Sequence, residues 1–292
     1  MTTENEHRYL ARFQRVLDHV DANPDGELGV EALASVAAFS RFHFHRQFAE
    51  LTGVTVNRYV QLARLKRASF ALAFRRAPIT EIALASGYGS ETFARVFKQR
   101  LGQTPGDFRR APDWDALATA IAPLDQARSK PMTINFAGTD VAIVDFPETR
   151  VALLAHRGDP VLVGATVRRF IAWRRETGLH PSNSRTFNLL HDDPETVPAE
   201  DFRMDVAAAT DRPIAENAAG VVEGRIPAGR CAMVRMTGSS DNLKPAVHFL
   251  YAEWLPRSGE QLRDFPMFAE RVRFFPDVPE NEAVTDIYLP LQ

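Results

Sequence analysis

Ile79-Thr80-Glu81-Ile82-Ala83-Leu84-Ala85-Ser86-Gly87-Tyr88-Gly89-Ser90-Glu91-Thr92-Phe93-Ala94-Arg95-Val96-Phe97-Lys98 is the stretch whose reading decides the fold. Ile79, Ile82 and Ala83 share one face of a short helix. Gly87-Tyr88-Gly89 breaks it, and a second helix runs over Ser90–Leu101 with Phe93 and Phe97 turned inward. The N-cap of that helix is either Gly89 or Ser90. At about 100° per residue, Glu91 and Arg95 fall roughly 160° and 200° from Phe93, on the outward face. An exposed ion pair four residues apart and a pair of groups offered to a partner both satisfy that geometry.

The same pattern occurs upstream. Leu33, Ala34 and Ala37 line a short helix, Ser40 caps the next, and Ser40–Leu51 carries Phe44, Phe48 and Leu51 inward. Phe42 and Arg46 occupy the two outward places that Glu91 and Arg95 hold in the second copy, and His45 sits on the flank. A longer helix, Thr55–Phe74, joins the copies, and a stripe of Tyr9, Phe13, Val16, Leu17 and Val20 precedes them, ended by Asn23-Pro24-Asp25-Gly26. Two helix-turn-helix units on one long helix suit a protein that sets two helices into successive DNA major grooves, about 34 Å apart. In such a groove a guanidinium meets guanine O6 and N7, and an apolar ring meets a thymine methyl. Packing of Phe42 on a neighbouring helix is the other reading.

Charge divides along the chain. The 292 residues carry 35 Lys+Arg and 37 Asp+Glu, a net charge of −2. By segment this is +5 over 1–110, −1 over 111–130 and −6 over 131–292, which suggests two jobs, one of them on a polyanion. A lone Cys231 excludes an internal disulfide framework and a CxxC metal or redox site. No apolar run reaches the roughly 18 residues of a membrane span and the N-terminus does not read as a signal peptide, so the expected compartment is the cytoplasm. No cofactor and no metal are expected: His43 and His45 are two apart on a helix and share no ligand face, and His191-Asp192-Asp193 reads as a surface turn.

The first region resembles the AraC family of transcriptional regulators. The resemblance rests on Ile79-x-x-Ile82-Ala83-x-x-x-Gly87-Tyr88, then Phe93-x-Arg95-x-Phe97-Lys98-x-x-x-Gly102-x-x-Pro105-x-x-Phe108-Arg109, with Leu33-Ala34 … Ser40-x-x-x-Phe44-x-Arg46-x-Phe48-x-x-x-x-Gly53 as the first half. It implies a seven-helix, all-α double helix-turn-helix domain over 1–110 that binds double-stranded DNA, with RNA polymerase among its admissible partners. By position, Phe42, His45 and Arg46 match base-reading sites of the first helix, and Ser90, Glu91 and Arg95 lie at those of the second. Arg41, Arg58, Arg64, Lys98 and Arg100 are candidates for phosphate contacts. A monomer with two reading helices covers an asymmetric site, so monomer and homodimer both remain open.

Residues 111–131, with Pro112, Pro123 and Pro131, read as a linker that has room for one short helix. Beyond it the pattern alternates: Thr133–Phe136, Asp140–Val144, Val151–His156, Thr186–Leu190 and Arg203–Ala209 read as strands. A faint repeat sets Arg150–Gly158 against Arg230–Gly238, and Met204–Ala207 against Thr285–Tyr288, each followed or preceded by matching helix and strand signals. Two strand-helix-strand-strand halves in an antiparallel sheet leave a groove between them, a common place for ligands.

This half resembles the GyrI-like domain, through Asp192-Asp193-Pro194-Glu195-Thr196-x-Pro198-x-x-x-Phe202-Arg203-x-Asp205, Gly229-Arg230-Cys231-Ala232, the helix bearing Trp254, and Asp286-Ile287-Tyr288-Leu289-Pro290. The resemblance covers 132–292 and implies an α+β effector domain; the order of the two domains is similar to the Rob-type regulators. It further implies a pocket for hydrophobic or cationic small molecules, with aromatic walls and a buried glutamate. Glu270 is the candidate glutamate, and Trp173, Trp254, Phe268 and Tyr288 are the candidate walls. The plain alternative for Glu270 is an exposed strand residue paired with Arg271 or Arg273. Two other functions stay open for this half: hydrolysis of a small electrophile with Glu270 and Tyr288 as acid and base, and a protein-binding module. No catalytic set is legible.

Overall fold

The computed structural model describes residues 4–129, 136, 138–194, 196–238, 243–275 and 277–292. The strand expected over 133–136 lies outside the described residues, except for Phe136, which belongs to no strand. The chain forms two compact units that divide near residue 134, with residues 279–281 counting with the first.

The helical unit runs α1 (Glu4–Ala22), α2 (Val30–Val36), α3 (Arg41–Thr52), α4 (Val56–Phe74), α5 (Ile79–Ala85), α6 (Ser90–Leu101), α7 (Pro105–Arg110) and α8 (Trp114–Ser129). Each helix-turn-helix pair has its own aromatic core. In the first, Phe13, Phe44, Phe48 and Tyr59 are fully buried, with the Phe44 and Phe48 centroids 5.6 Å apart and Tyr59 edge-on to Phe48 at 5.6 Å. In the second, Phe93, Phe97 and Phe108 repeat the arrangement at 5.3 Å per step. The ring edges and faces are complementary, which adds to the burial of their area. Gly89, not Ser90, is the N-cap of α6, and Gly53 and Gly102 close α3 and α6.

Within the stretch expected as a linker with room for one short helix, the helix is long and packed. Trp114–Ser129 is a 16-residue helix lying along α4. Leu117 and Ile121 enter the second core while Leu124 and Ala127 enter the first. The N-terminal half of α4 (Val56, Tyr59, Val60, Leu62) and its C-terminal half (Leu65, Ala68, Ala71, Leu72) divide the same way. Two helices therefore hold the cores in one body, and the ion pair of Arg128 with Asp21, both sealed from solvent, ties α8 to α1. The alanine-rich composition hid a usable signal: Leu117, Ile121 and Leu124 stand at helical spacing.

The second unit is one eight-stranded antiparallel sheet of β1 (Val141–Phe146), β2 (Thr149–Arg157), β3 (Thr186–Leu190), β4 (Arg203–Ala209), β5 (Val222–Ile226), β6 (Gly229–Thr237), β7 (Met267–Arg273) and β8 (Val284–Pro290), in the order β1-β6-β8-β7-β3-β4-β2-β5. Helix α9 (Val163–Thr177) follows β2. The helix after β6 begins as α10 (Lys244–His248) and widens into a π-helical stretch, Phe249–Trp254, just before Pro256, which has no N–H to donate.

The strand registers show how exact the internal repeat is. Val151 pairs with Gly224, and Val144 with Cys231, so both ladders obey one continuous register. Strands β1 and β2 form one side of a single ribbon, and β5 and β6 the other. The ribbon is interrupted where Pro147 and Pro227, 80 residues apart, withhold their donors. Its two halves end at opposite edges of the sheet, so the sheet is curled. The pseudo-twofold axis also passes between β3 and β7 at the pair Asn188–Ala269, two residues 81 apart.

Two outcomes test this packing. Leu124→Ala, which opens a void where α8 meets the first core, is expected to cost about 2–5 kcal/mol of unfolding free energy in urea titration. Gly87→Ala is expected to lower the thermal midpoint clearly, because Gly87 has a φ of +73° and a Cβ there would lie 2.3 Å from the Pro24 carbonyl oxygen.

Candidate DNA-reading helices and effector site

In the helical unit, the buried phenylalanine pairs fix which side of α3 and α6 faces outward. Arg46 lies between Phe44 and Phe48 in sequence, Arg95 between Phe93 and Phe97, and both arginines are exposed, as are His45, Glu91 and Lys98. Arg46, Glu91, Arg95 and Lys98 form no ion pair with another described residue, so the expected alternative of a Glu91–Arg95 pair is not realised. The side chains of Phe42 and Ser90 lie outside the described set. Three of the basic residues expected at phosphates have internal partners. Arg41 pairs with Glu31 at 2.7 Å, Arg100 donates to the Gln61 amide oxygen at 3.3 Å, and Arg64 donates to the carbonyls of Pro24 and Gly26 at 2.7 and 3.3 Å. Arg64 thus clamps the turn after α1.

In the second unit, strand alternation sorts the side chains onto two faces. One face lies under α9, where Phe170 and Trp173 stack at 5.9 Å and pack with Ala152, Leu154, Val206 and Ala208. The other, inside the curl, gathers Phe146, Val151, Phe187, Leu189, Phe268 and Tyr288. Phe146 stands edge-on to Phe268 at 4.9 Å and to Tyr288 at 5.2 Å, and Phe268 stacks on Tyr288 at 4.9 Å. Phe268 and Tyr288 are therefore brought together as expected, but the two tryptophans are not with them. Trp173 serves the helix-covered face, and Trp254, its counterpart 81 residues on, lies in the π-helical stretch outside this cluster. Face assignment depends on strand parity and sheet curl, and sequence spacing alone did not resolve it.

Glu270 stands on the inner face beside these rings, with its side chain 12% exposed. It is not a bare anion, and its partner is neither Arg271 nor Arg273. Arg185, just before β3, donates from Nε and Nη2 to the two carboxylate oxygens at 2.7 and 2.6 Å. The Tyr288 hydroxyl donates to the same carboxylate at 3.3 Å. Burial, aided by the negative charges of Glu270 and Asp286, pushes the Tyr288 phenol well up from its ordinary value. The fork to Glu270 raises the already high value of the Arg185 guanidinium.

Two more buried carboxylates flank the group, related by the pseudo-twofold. Asp205 accepts from Arg157 Nη1 and pairs with His191 Nε2, both at 2.7 Å, and Asp286 takes a bidentate fork from Arg235 at 2.7 Å. Burial opposes ionisation of Asp205, but His191 and Arg157 outweigh it and hold its carboxyl below 3.8. His191 and Asp192 point to different partners, Asp205 and Arg203. A group with a lowered folded value stabilises the fold above its unfolded value and loses that contribution as pH falls through the folded one. Asp205→Asn is therefore expected to flatten the acid limb of the stability curve below pH 3.8, read by thermal denaturation across pH.

Comparisons with known proteins agree with this division. Residues 139–292 match the GyrI-like small molecule binding domain, and residues 33–111 match a helix-turn-helix domain. The probable transcriptional regulator YgiV of Escherichia coli K12 is 41% identical over 153 residues, which is 52% of this chain and 96% of that protein. The right origin-binding protein of the same organism is 35% identical over 98 residues, 33% of this chain and 34% of that protein. Regulatory protein SoxS of Salmonella typhimurium is 32% identical over 98 residues, 33% of this chain and 92% of that protein. Among the described residues no helix is long and apolar enough to cross a membrane. With two helix-turn-helix pairs in one unit and an aromatic, carboxylate-lined face in the other, the chain belongs to the GyrI-like family and is an AraC-type helix-turn-helix transcriptional regulator with a GyrI-like small-molecule-binding domain.

Proposed function

We propose that this regulator reads an asymmetric site in double-stranded DNA with α3 and α6, and that an aromatic small molecule bound on the inner face of the curled sheet modulates that binding. The observation that carries the DNA half is the recurrence of an exposed arginine, Arg46 and Arg95, at the same offset from each buried phenylalanine pair. A guanidinium at that place is suited to a guanine edge, while Lys98 and Arg58 suit phosphates. Glu91 suits a cytosine amino group. The action belongs where the DNA is, in the cytoplasm, and a single chain suffices for two adjacent grooves.

The effector half rests on the ring cluster of Phe146, Phe187, Phe268 and Tyr288 with polar groups at its border. That combination, apolar walls with few fixed polar atoms, is what a small-molecule site requires. Binding is a better reading of Glu270 and Tyr288 than hydrolysis. Both oxygens of Glu270 are already taken up by Arg185, so neither is free to face a substrate proton, and the raised Tyr288 phenol is a reluctant acid.

Arg46→Ala and Arg95→Ala are each expected to weaken specific DNA binding by about 1–3 kcal/mol in fluorescence anisotropy, and to do so at particular bases of the site. Parent-like binding by both variants would remove α3 and α6 as reading helices. Phe268→Ala is expected to abolish the effect of the effector on DNA affinity while leaving effector-free DNA binding at the parental level.

A further inference from the structure

Arg185 makes the contacts that a bound cation would make. Its guanidinium carbon lies 5.3 Å from the Phe146 ring centroid and 5.0 Å from that of Phe187. Its two forward nitrogens take both oxygens of Glu270, at 2.7 and 2.6 Å, and the Tyr288 hydroxyl closes on the same carboxylate. An anion for its charge and ring faces for its flanks are the full complement of a cation subsite. The cation found there belongs to the chain itself.

The repeat indicates that the fold does not require this pair. The position equivalent to Arg185 in the second half, 81 residues on, is Pro266, and the position equivalent to Glu270 in the first half, 81 residues back, is Leu189. The flanking pairs Arg157–Asp205 and Arg235–Asp286 place buried aspartates at equivalent positions in both halves, as a structural requirement of the sheet would. The Arg185–Glu270 pair occurs in one half only, at the aromatic cluster. Its arginine side chain is 42% exposed, so it already borders the water into which it would be released and regains hydration there in exchange for the pair.

We propose that Arg185 is a built-in competitor for the cation subsite beside Glu270. With Arg185 in place, the intact chain binds a planar aromatic monocation poorly, and such a ligand enters only by taking over Glu270 as Arg185 swings to solvent. The effector class favoured by the intact site is then a neutral aromatic; among cations, an amidine or guanidine able to reproduce the fork would displace Arg185 more readily than a simple ammonium. This rests on reading the inner face as the effector site.

The test uses the full chain, with 2-naphthamidine as a planar cation and 2-naphthamide as its neutral counterpart of the same shape, in isothermal titration calorimetry. R185M, or R185Q should R185M not fold, is expected to bind the amidine about tenfold more tightly than the parent, a change of about 1.4 kcal/mol. R185M/E270Q is expected to return to the parental affinity, and R185K, which keeps a cation at the position, to stay within about threefold of the parent. The neutral amide is expected to bind all four chains alike. If the amide binds all four but the amidine gains nothing from R185M, the competitor role is overturned and the effector site stands. If R185K gains as much as R185M, simple loosening explains the effect and the role is again overturned. If neither ligand binds any chain, the effector site itself fails and the competitor role falls with it.

Discussion

The second unit depends on one long antiparallel ribbon broken at Pro147 and Pro227. A proline has no N–H to give the ladder, and each break sits on the pseudo-twofold axis, so the ribbon bends at its centre and sends its halves to opposite edges of the sheet. A sheet whose two edges are two ends of one ribbon has to curl. The curl gives it an inside, and Phe146, the last residue before the first break, is carried in to meet Phe268 and Tyr288. A flat sheet with the same strands would leave these rings spread over a surface.

Symmetry builds this scaffold, and departures from symmetry give its inner face two unlike halves. Phe187 and Phe268 are equivalent, as are Asp205 and Asp286, and both pairs hold the sheet and its core together. At the inner face the halves differ: Ala207 stands where Tyr288 does, Leu189 where Glu270 does, and Pro266 where Arg185 does. The polar groups of the inner face, Glu270, Tyr288 and Arg185, are thus concentrated on one side. Buried carboxylates are tolerable there because each is met by an arginine fork or, at Asp205, by an arginine and a histidine, which offsets the loss of hydration.

The helical unit uses duplication without closure. Each helix-turn-helix has its own phenylalanine core, and α4 and α8 contribute to both. Because Phe44/Phe48 and Phe93/Phe97 lock the rotation of α3 and α6, the outward direction of Arg46 and Arg95 is a consequence of core packing. Rigid support of this kind lets a long, exposed side chain act at a defined place.

Local spacing made much of this legible. Phenylalanines four apart, broken by glycines and repeated, determined helices α3 and α6 and their outward arginines, because helix rotation follows from residues close in sequence. The matched strand segments determined the two halves of the sheet for the same reason. Helix α8 was within reach of the same reading, since Leu117, Ile121 and Leu124 carry the period, but its prolines and alanines suggested a linker. Tertiary structure alone decided which sheet face each aromatic serves, moving Trp173 and Trp254 away from Phe268 and Tyr288. It alone paired Glu270 with Arg185, 85 residues distant in sequence. Such pairings depend on strand order and on the curl at two prolines, which are properties of the whole sheet and of no segment within it.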